Sequence, residues 1–341
     1  MHIVVAIALV VWTALAISPA RAQTDDGFYK NKTLKLVLST GPGGGYSIYG
    51  RLLARHFGNY LPGKPNIVIE NMPGAGGVKA TNWLFAQAPR DGATIAMIQL
   101  TVPLAPLMGH KGAQFDPLKF NWIGSMDRAL GMCTAWHTSP VQTWADMLTK
   151  EFIVGGTGVG SSTVLYPALM NMLLGTKIRV VTGYADGVSV HLAMERGEVM
   201  GVCGPFLTTI KANQPHWITE KKFVVPIAVD RQRLPEYPDT PAITEFIKDE
   251  HTLQVFEPTF ATGEMQRPLL APPGVPAERV AELRAALVAT MNDATFKQEA
   301  AKTQLSMDYV SGEQLAETIR RSYALPKSAI DVAKKAMGNA P

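Results

Sequence analysis

Short apolar runs, glycine-rich turns and helical stretches alternate along most of this chain. The apolar run Leu34 to Ser39 precedes the glycine turn Gly41 to Gly45, and a helical pattern then continues to Phe57. The same order recurs from the apolar run Asn66 to Glu70 and again from Phe152 to Val154. Alternating strands and helices are typical of βαβ units, in which helices cover both faces of a parallel sheet. The sequence therefore predicts an α/β fold.

The length of the chain indicates two lobes. It has 341 residues, 47% of them hydrophobic, whereas a single core rarely organises more than about 250–300 residues. We assign residues 23–125 and 240–341 to lobe 1 and residues 126–239 to lobe 2, each lobe a mainly parallel sheet flanked by helices. Residues 231–276 are rich in proline, which favours an extended connection. We expect the C-terminal helices to pack back on lobe 1, so that two crossings form a hinge.

The N-terminal segment has the features of an export signal. Ile3 to Ile17 is an almost unbroken apolar run, and Ala20-Arg21-Ala22 matches the A-x-A pattern of a cleavage site. The run is shorter than the roughly 20 residues that a membrane span needs. We therefore interpret residues 1–22 as a signal peptide that is cleaved after Ala22. No Lys or Arg precedes the apolar run, which leaves the position of the start codon open.

Charge and motif content argue against several functional classes. The 32 basic and 28 acidic residues are interleaved along the chain, so no patch indicates nucleic-acid binding. The glycine turns lack the G-x-G-x-x-G spacing of a dinucleotide site, and no H-E-x-x-H, C-x-x-C or G-x-S-x-G motif is present. We expect no enzymatic activity, no metal and no cofactor.

Three glycine-rich loops each lie between a predicted strand and a predicted helix. They are Gly41 to Ser47, Gly155 to Thr163 and Gly183 to Gly187. Free backbone N–H groups at the start of a helix, together with the helix dipole, form a ready site for an anion. Any one of these loops alone is explained as a tight connection with Ser or Thr caps. Equivalent loops on two lobes across a hinge favour a ligand clamp.

The chain contains two cysteines, Cys133 and Cys203. In an oxidising compartment such a pair forms either a disulfide or two buried free thiols. A bridge requires Cα atoms within about 7 Å of each other, which the sequence does not determine. Both alternatives stay open at this stage.

Six sequence blocks, spread in order over the mature chain, carry a resemblance to a known family. They are Gly43-Gly44-Gly45 with Arg51-Leu52-Leu53-Ala54, Glu70 to Gly77, Pro89 to Gly92, Gly158 to Ser162, Ala193 to Val199, and Leu270 to Pro276. In this order they resemble the receptor subunits of tripartite tricarboxylate transporters, also called Bug receptors. The resemblance implies a periplasmic binding protein of the Venus-flytrap, type II-like architecture that binds a small carboxylate without metal or cofactor.

The resemblance also implies where the ligand lies. In the family the first glycine loop and its counterpart in the second lobe hold one carboxylate through backbone amides and ordered water, which corresponds here to Gly43 to Ser47 and Thr157 to Thr163. Ser47 departs from the family, since many relatives carry Asp there, and Cys203-Gly204-Pro205 stands where many carry Phe-Asp. The loss of two carboxylates favours an anionic ligand that lacks an ammonium group.

The candidate ligand-binding residues lie on these loops and beside them. Tyr46, Tyr49 and Tyr184 are expected either to line the cleft, which suits an aromatic or long apolar carboxylate, or to be generic packing. Asp186 is expected either to meet a donor on the ligand or to cap a helix. The full set is Gly43, Gly44, Gly45, Tyr46, Ser47, Thr157, Gly158, Gly160, Ser161, Ser162, Thr163, Tyr184 and Asp186.

By resemblance, the chain is expected to be a monomeric receptor that closes on its ligand and delivers it to integral-membrane transporter subunits. One alternative is a periplasmic protein that senses the same ligand and signals to a sensor kinase. Another is an exported hydrolase, which would need a nucleophile paired with a base. The sequence presents no such pair.

Overall fold

The computed structural model describes residues 27–42, 45–128, 131–157, 161–184, 187–204 and 207–338. The predicted signal peptide lies outside the described residues. The strands, in chain order, are β1 (Thr33–Leu38), β2 (Asn66–Asn71), β3 (Thr94–Met97), β4 (Asn121–Ser125), β5 (Met132–Trp136), β6 (Phe152–Gly156), β7 (Ile178–Thr182), β8 (Gly201–Gly204), β9 (Phe223–Ala228), β10 (Pro268–Ala271) and β11 (Val310–Ser311).

Helices separate and follow these strands. They are α1 (Gly45–His56), α2 (Val78–Ala86), α3 (Trp144–Thr149), α4 (Ser162–Leu174), α5 (Gly187–Glu195), α6 (Leu207–Asn213), α7 (Pro215–Thr219), α8 (Glu250–Glu264), α9 (Ala277–Asn292), α10 (Ala294–Lys302), α11 (Gly312–Tyr323) and α12 (Lys327–Gly338). Short 3-10 helices lie at Phe57–Tyr60, Ala75–Gly77, Val102–Leu104, Pro117–Lys119 and Ile243–Phe246.

The first sheet has its strands in the order β11-β4-β10-β3-β1-β2. Strand β1 is parallel to β2 and β3, whereas β10 is antiparallel to β3 and β4. The alternating side chains of β1 enter two cores: Leu34 and Leu36 face one, and Val37 faces the other. Burial on both faces is what a sheet covered by helices on both sides requires.

The second sheet has the order β7-β6-β8-β5-β9. Strand β6 is parallel to β7 and β8, and β5 is antiparallel to β8 and β9. The two α/β lobes predicted from the sequence are therefore present. Both sheets are mixed, however, and not mainly parallel as expected. A chain that comes from the other lobe enters at the carboxyl edge of the sheet, so β5 and β10 must run against the strands that end there.

The first crossing between the sheets is made by residues 126–131. It leaves β4 at the edge where β1 and β3 end, since the last residue of β4, Ser125, pairs with the first of β10, Pro268. It enters the second sheet where β8 ends, since Met132 pairs with Gly204. The carboxyl edges of the parallel strands in both sheets therefore border the same interlobe region.

Helices α8 and α12 differ from our expectations. Residues 231–276 were predicted as an extended connection, but α8 forms within them because the Asp249 carboxylate caps it by accepting from the Thr252 N–H. Phe256 of α8 packs in the core of the second lobe, whereas Met265, just after its end, packs in a core of the first. The second crossing therefore falls at the end of α8.

Helix α12 packs on the second lobe, not on the first as expected. Its small residues Ala329, Ala333 and Ala336 are buried among side chains of α4 and α8. Small side chains at this spacing let three helices approach closely. Residues 324–326 thus form a third connection between the lobes, where two crossings were expected. The bounds that we assigned to the two lobes stay predictions.

Cys133 of β5 and Cys203 of β8 are directly opposite each other in the antiparallel pair. Both are fully buried, their Cα atoms are 3.9 Å apart, and their Sγ atoms are bonded. The structure thus has the disulfide, the first of the two alternatives that the sequence left open. The bridge joins two central strands of the second sheet.

Candidate ligand-binding site

The first glycine loop leads directly into α1. Gly43 and Gly44 lie outside the described residues, and Gly45 is the first residue of this 12-residue helix. The first turn of α1 has no acidic side chain. The positive end of the helix dipole and its free N–H groups are therefore not neutralised from within the helix.

The Ser47 side chain holds the first loop in place. Ser47 is buried, and its hydroxyl donates to the Gly41 carbonyl over 2.8 Å. The Asn71 amide at the end of β2 donates to the Thr40 carbonyl over 2.8 Å and to the Ser47 hydroxyl over 3.4 Å. The hydroxyl of Ser47, a candidate ligand residue, is thus hydrogen-bonded to the backbone of the loop. Its contribution to a site is to fix the position of the loop.

The tyrosines of α1 differ in exposure. Tyr46 is half-buried, and its hydroxyl accepts the Leu100 N–H over 3.0 Å. Burial raises the pKa of Tyr46 above its ordinary value. Tyr49 is only 1% exposed, and its hydroxyl lies 2.8 Å from the Ser306 carbonyl. Of the two alternatives left open for Tyr49, its burial in a core of the first lobe supports packing and not the lining of the cleft.

The second glycine loop is held by hydroxyl groups. Gly158 and Gly160 lie outside the described residues, and α4 begins at Ser162 with no acidic residue in its first turn. The buried Thr163 hydroxyl accepts the Thr157 N–H over 2.9 Å and lies 2.6 Å from the Ser161 hydroxyl. These contacts tie both ends of the loop to the start of α4.

The third loop connects β7 to α5. Asp186 lies outside the described residues, whereas Tyr184 is half-buried and packs against an apolar cluster of the second lobe that includes Val190 and Trp217. Helix α5 begins at Gly187 and also lacks an acidic residue in its first turn. Since β6 and β7 are parallel neighbours, the second and third loops lie at the same edge of the sheet.

Sequence analysis missed Arg267, which immediately precedes β10. Its backbone N–H donates to the Ser125 hydroxyl over 3.0 Å, which fixes it beside the first crossing. The guanidinium carbon lies 4.5 Å from the Tyr46 ring centroid and 4.6 Å from that of Tyr49. The available signal was a basic residue directly before a fully apolar run, in a segment that we interpreted as a connection.

Asp127, in the first crossing, is an acidic residue on which the charge of Arg267 acts. It is fully buried, and the Tyr49 hydroxyl lies 3.1 Å from its Oδ2 atom. Burial raises the pKa of Asp127 to about 6, although the positive charge of Arg267 acts in the opposite direction. A buried carboxyl and a buried guanidinium therefore lie together beneath the start of α1.

Among the described residues, no group of three or more His, Cys, Asp and Glu is placed to hold a metal ion. Within the same part of the chain, none of the helices combines the length and apolar character required to cross a bilayer.

Two α/β lobes, with glycine loops that lead into helices at the edges bordering one interlobe region, define a two-lobed solute-binding protein. The chain belongs to the tripartite tricarboxylate transporter family of receptors (TctC), whose family model matches residues 52–333. The predicted family and two-lobed fold are thus confirmed. Family and fold are those of substrate-binding receptors and not of enzymes, and receptors of this family are periplasmic.

Solved structures with this fold cover nearly the whole chain. A TctC solute-binding protein from Polaromonas has a TM-score of 0.67 and 19% identity, over 91% of this chain and 99% of that one. Rpa4515 from Rhodopseudomonas palustris, solved with adipate, has a TM-score of 0.66 and 18% identity, over 91% and 99%. MatC from Rhodopseudomonas palustris, solved with malate, has a TM-score of 0.62 and 20% identity, over 89% and 99%.

Proposed function

We propose that this protein captures a small carboxylate between its two lobes and delivers it to the membrane subunits of a tripartite tricarboxylate-type transporter. The observation that carries the proposal is the paired arrangement of α1 and α4. Each begins at a glycine loop, each lacks an acidic residue in its first turn, and each starts at the sheet edge that borders the interlobe region. Helix starts of this kind favour anions.

The ligand is held by loops from both lobes, so it favours the closed arrangement over the open one by its additional contacts. The transporter subunits recognise the surface of the closed arrangement. Adipate and malate, held by the structures of Rpa4515 and MatC, support a small carboxylate as the ligand class.

The remaining parts of the proposal follow from the sequence. Residues 1–22 are a signal peptide removed after Ala22, the mature protein works in the periplasm, and it does so as a monomer. The candidate residues Gly43 to Ser47, Thr157 to Thr163, Tyr184 and Asp186 form the site. Transfer to the transporter is tested by deleting the gene, which should abolish carboxylate uptake by the cell, and by restoring it.

The binding test is a thermal-shift screen of the mature protein against dicarboxylates, tricarboxylates, aromatic carboxylates and amino acids. A ligand at about 100 times its Kd stabilises the folded state by about 2.7 kcal/mol. For a protein of this size, with an unfolding entropy of about 2.1 cal/mol/K per residue, that corresponds to a rise in Tm of about 4 °C.

Variants at both glycine loops test the location of the site. Gly44→Phe and Gly160→Phe should each abolish the shift produced by the best carboxylate. The matched control is Gly338→Phe, at the exposed end of α12, where an added Cβ atom meets nothing within 4 Å. If no carboxylate shifts the wild type, or if one is chemically converted, the proposal is wrong.

A further inference from the structure

Within the described part of the chain, one buried arginine forms no ion pair with a carboxylate. Arg267 is 8% exposed and forms no ion pair with any carboxylate of the described residues. Its Nη1 atom donates to the adjacent Gln266 carbonyl over 2.6 Å, but its buried Nε atom has no acceptor. Burying an uncompensated charge is costly, so such a group is expected to have an occupant or a function.

A second buried arginine shows how this chain treats a structural cation. Arg279 of α9 is 6% exposed, and its guanidinium forms an ion pair with the Glu282 carboxylate one helical turn later. Both guanidinium groups lie against aromatic rings, but that of Arg267 donates to the Gln266 carbonyl and forms no ion pair with a carboxylate of the described residues. The contrast indicates that no described residue of the chain supplies an ion-pairing anion to Arg267.

The guanidinium of Arg267 lies at the start of α1. A Cβ atom added to Gly45 would be 3.3 Å from its Nη2 atom. The rings of Tyr46 and Tyr49, one turn apart on α1, lie against the guanidinium and limit its movement. The charge of Arg267 and the free N–H groups of α1 are thus directed at the same space, next to the first glycine loop.

Asp127 does not take the place of the missing anion. The charge of Arg267 lowers the pKa of Asp127, but the two side chains form no ion pair. The Tyr49 hydroxyl lies within hydrogen-bond distance of the Asp127 Oδ2 atom. Its Oδ1 atom also lacks a partner. The guanidinium therefore keeps donor capacity for a ligand, and its planar set of donors matches the geometry of a carboxylate.

We propose that Arg267 binds a carboxylate group of the ligand at the start of α1, and so makes a negative charge at that position a requirement for binding. The inference rests on the proposed function and deepens it by naming a specificity-determining side chain. Because Arg267 lies at the crossing beside Ser125, its contact with the ligand is made where the two lobes meet. Arg267 then both lies at the hinge and binds the charged group of the ligand.

The test measures affinity and stability of the same variants. Arg267→Met and Arg267→Lys are compared with wild type by calorimetric titration with adipate, malate and any carboxylate found in the thermal screen. Hydrogen bonds to charged groups contribute enough that Arg267→Met should weaken binding by about 10-fold or more. Arg267→Lys should recover part of the loss, since it keeps the charge but loses the planar fork.

Two controls separate ligand recognition from a structural role. Below the Asp127 pKa of about 6, where that carboxyl is neutral, removing the unpaired buried charge should leave the Tm of the unliganded Arg267→Met protein unchanged or higher. Arg279→Met should instead lower the Tm because Glu282 is left buried alone. Adipate should also be preferred over its monomethyl ester by wild type. This preference should shrink in Arg267→Met but persist in Arg279→Met.

The outcomes are distinguishable. If wild type binds a carboxylate and Arg267→Met binds it equally well, the role of Arg267 is overturned and the proposed function stands. A fall in affinity accompanied by an equal loss of unliganded stability, with the ester preference intact, identifies Arg267 as structural and also overturns the inference. If wild type binds no carboxylate at all, both the proposed function and this inference fail.

Discussion

The disulfide between Cys133 and Cys203 should contribute most of the resistance of the second lobe to unfolding. The two residues are 70 positions apart in sequence. Cross-linking a loop of this length removes about 15 cal/mol/K of entropy from the unfolded chain, which corresponds to about 4 kcal/mol at 25 °C. Reduction of the wild type, or replacement of both cysteines by alanine, should lower the free energy of unfolding by this amount.

The effect should be confined to one lobe, because the closed loop lies entirely within the second sheet and its helices. Urea unfolding is followed by circular dichroism and by fluorescence of Trp136, Trp144 and Trp217, which belong to the second lobe. Variants with Phe at Trp83 and Trp122 remove the signal of the first lobe. A transition of the first lobe, observed separately, should not move.

The control is the double alanine variant, whose unfolding should not respond to reductant. Alkylation of the unreduced, denatured wild type followed by mass measurement should detect no free thiol. If oxidised and reduced wild type unfold at the same urea concentration, or if both cysteines are alkylated without reduction, the assignment of the bridge is refuted. An equal loss in both lobes would refute the reasoning that confines it to the second.

Three other predictions concern the hinge and the last helix. Because burial raises the pKa of Asp127 to about 6, the stability that its proton contributes is present below pH 4 and is lost as the pH rises through 6. The free energy of unfolding should fall by about 2 kcal/mol from pH 4 to 7, and Asp127→Asn should remove this fall in urea titrations. Ala333→Asp should destabilise the second lobe by several kcal/mol because it buries a charge against α4 and α8, whereas Lys335→Asp, on the exposed side of α12, should cost less than 1 kcal/mol by the same assay. Gly131→Ala should lower the free energy of unfolding by about 1–3 kcal/mol, and with it the Tm, since the added Cβ would lie 2.6 Å from the Val229 carbonyl oxygen. An unchanged Tm would show that the backbone of the hinge shifts without cost and would contradict the prediction.

The strands of the parallel units could be predicted closely because their sequence signal is local. Strand β7 has the predicted bounds, Ile178–Thr182, and β2 extends the predicted run by one residue. Each is an apolar run that ends in a glycine or polar turn, and this pattern decides the structure without help from distant residues. The loops that lead into α1 and α4 were located for the same reason.

Helices α8 and α12 were misjudged because their packing depends on distant residues. Pro258 lies inside α8, in a segment where prolines favour an extended chain, and the cap at Asp249 together with burial of Phe256 outweighs that preference. Helix α12 carries an alanine stripe that suits several partners. Only the positions of α4 and α8 in three dimensions determine which of them it meets.

Among the site residues, too, those with a local sequence signal could be predicted and those that depend on distant residues could not. Tyr49 was recognisable as a core residue, because Leu52 and Leu53 follow at three and four residues and all three face the sheet. Arg267 was not recognisable, since its partners come from α1 and from the first crossing, more than 130 residues away in sequence. Neither hydropathy nor spacing reports a contact of that kind.

Helix α12 has a consequence for the order in which the molecule can assemble. The core of the second lobe draws side chains from Cys133 to Ala336, and the cores of the first lobe draw theirs from Tyr29 to Ile319. Neither lobe is a continuous piece of chain. A polypeptide delivered from its N-terminus therefore lacks part of the first-lobe cores, and part of the second-lobe core that contains Ala336, until its last helices have been made. Long-range closure of this kind slows folding and leaves apolar surface uncovered meanwhile. A nascent or truncated chain therefore cannot complete either lobe separately. The binding cleft, which needs both lobes, is the last feature to form.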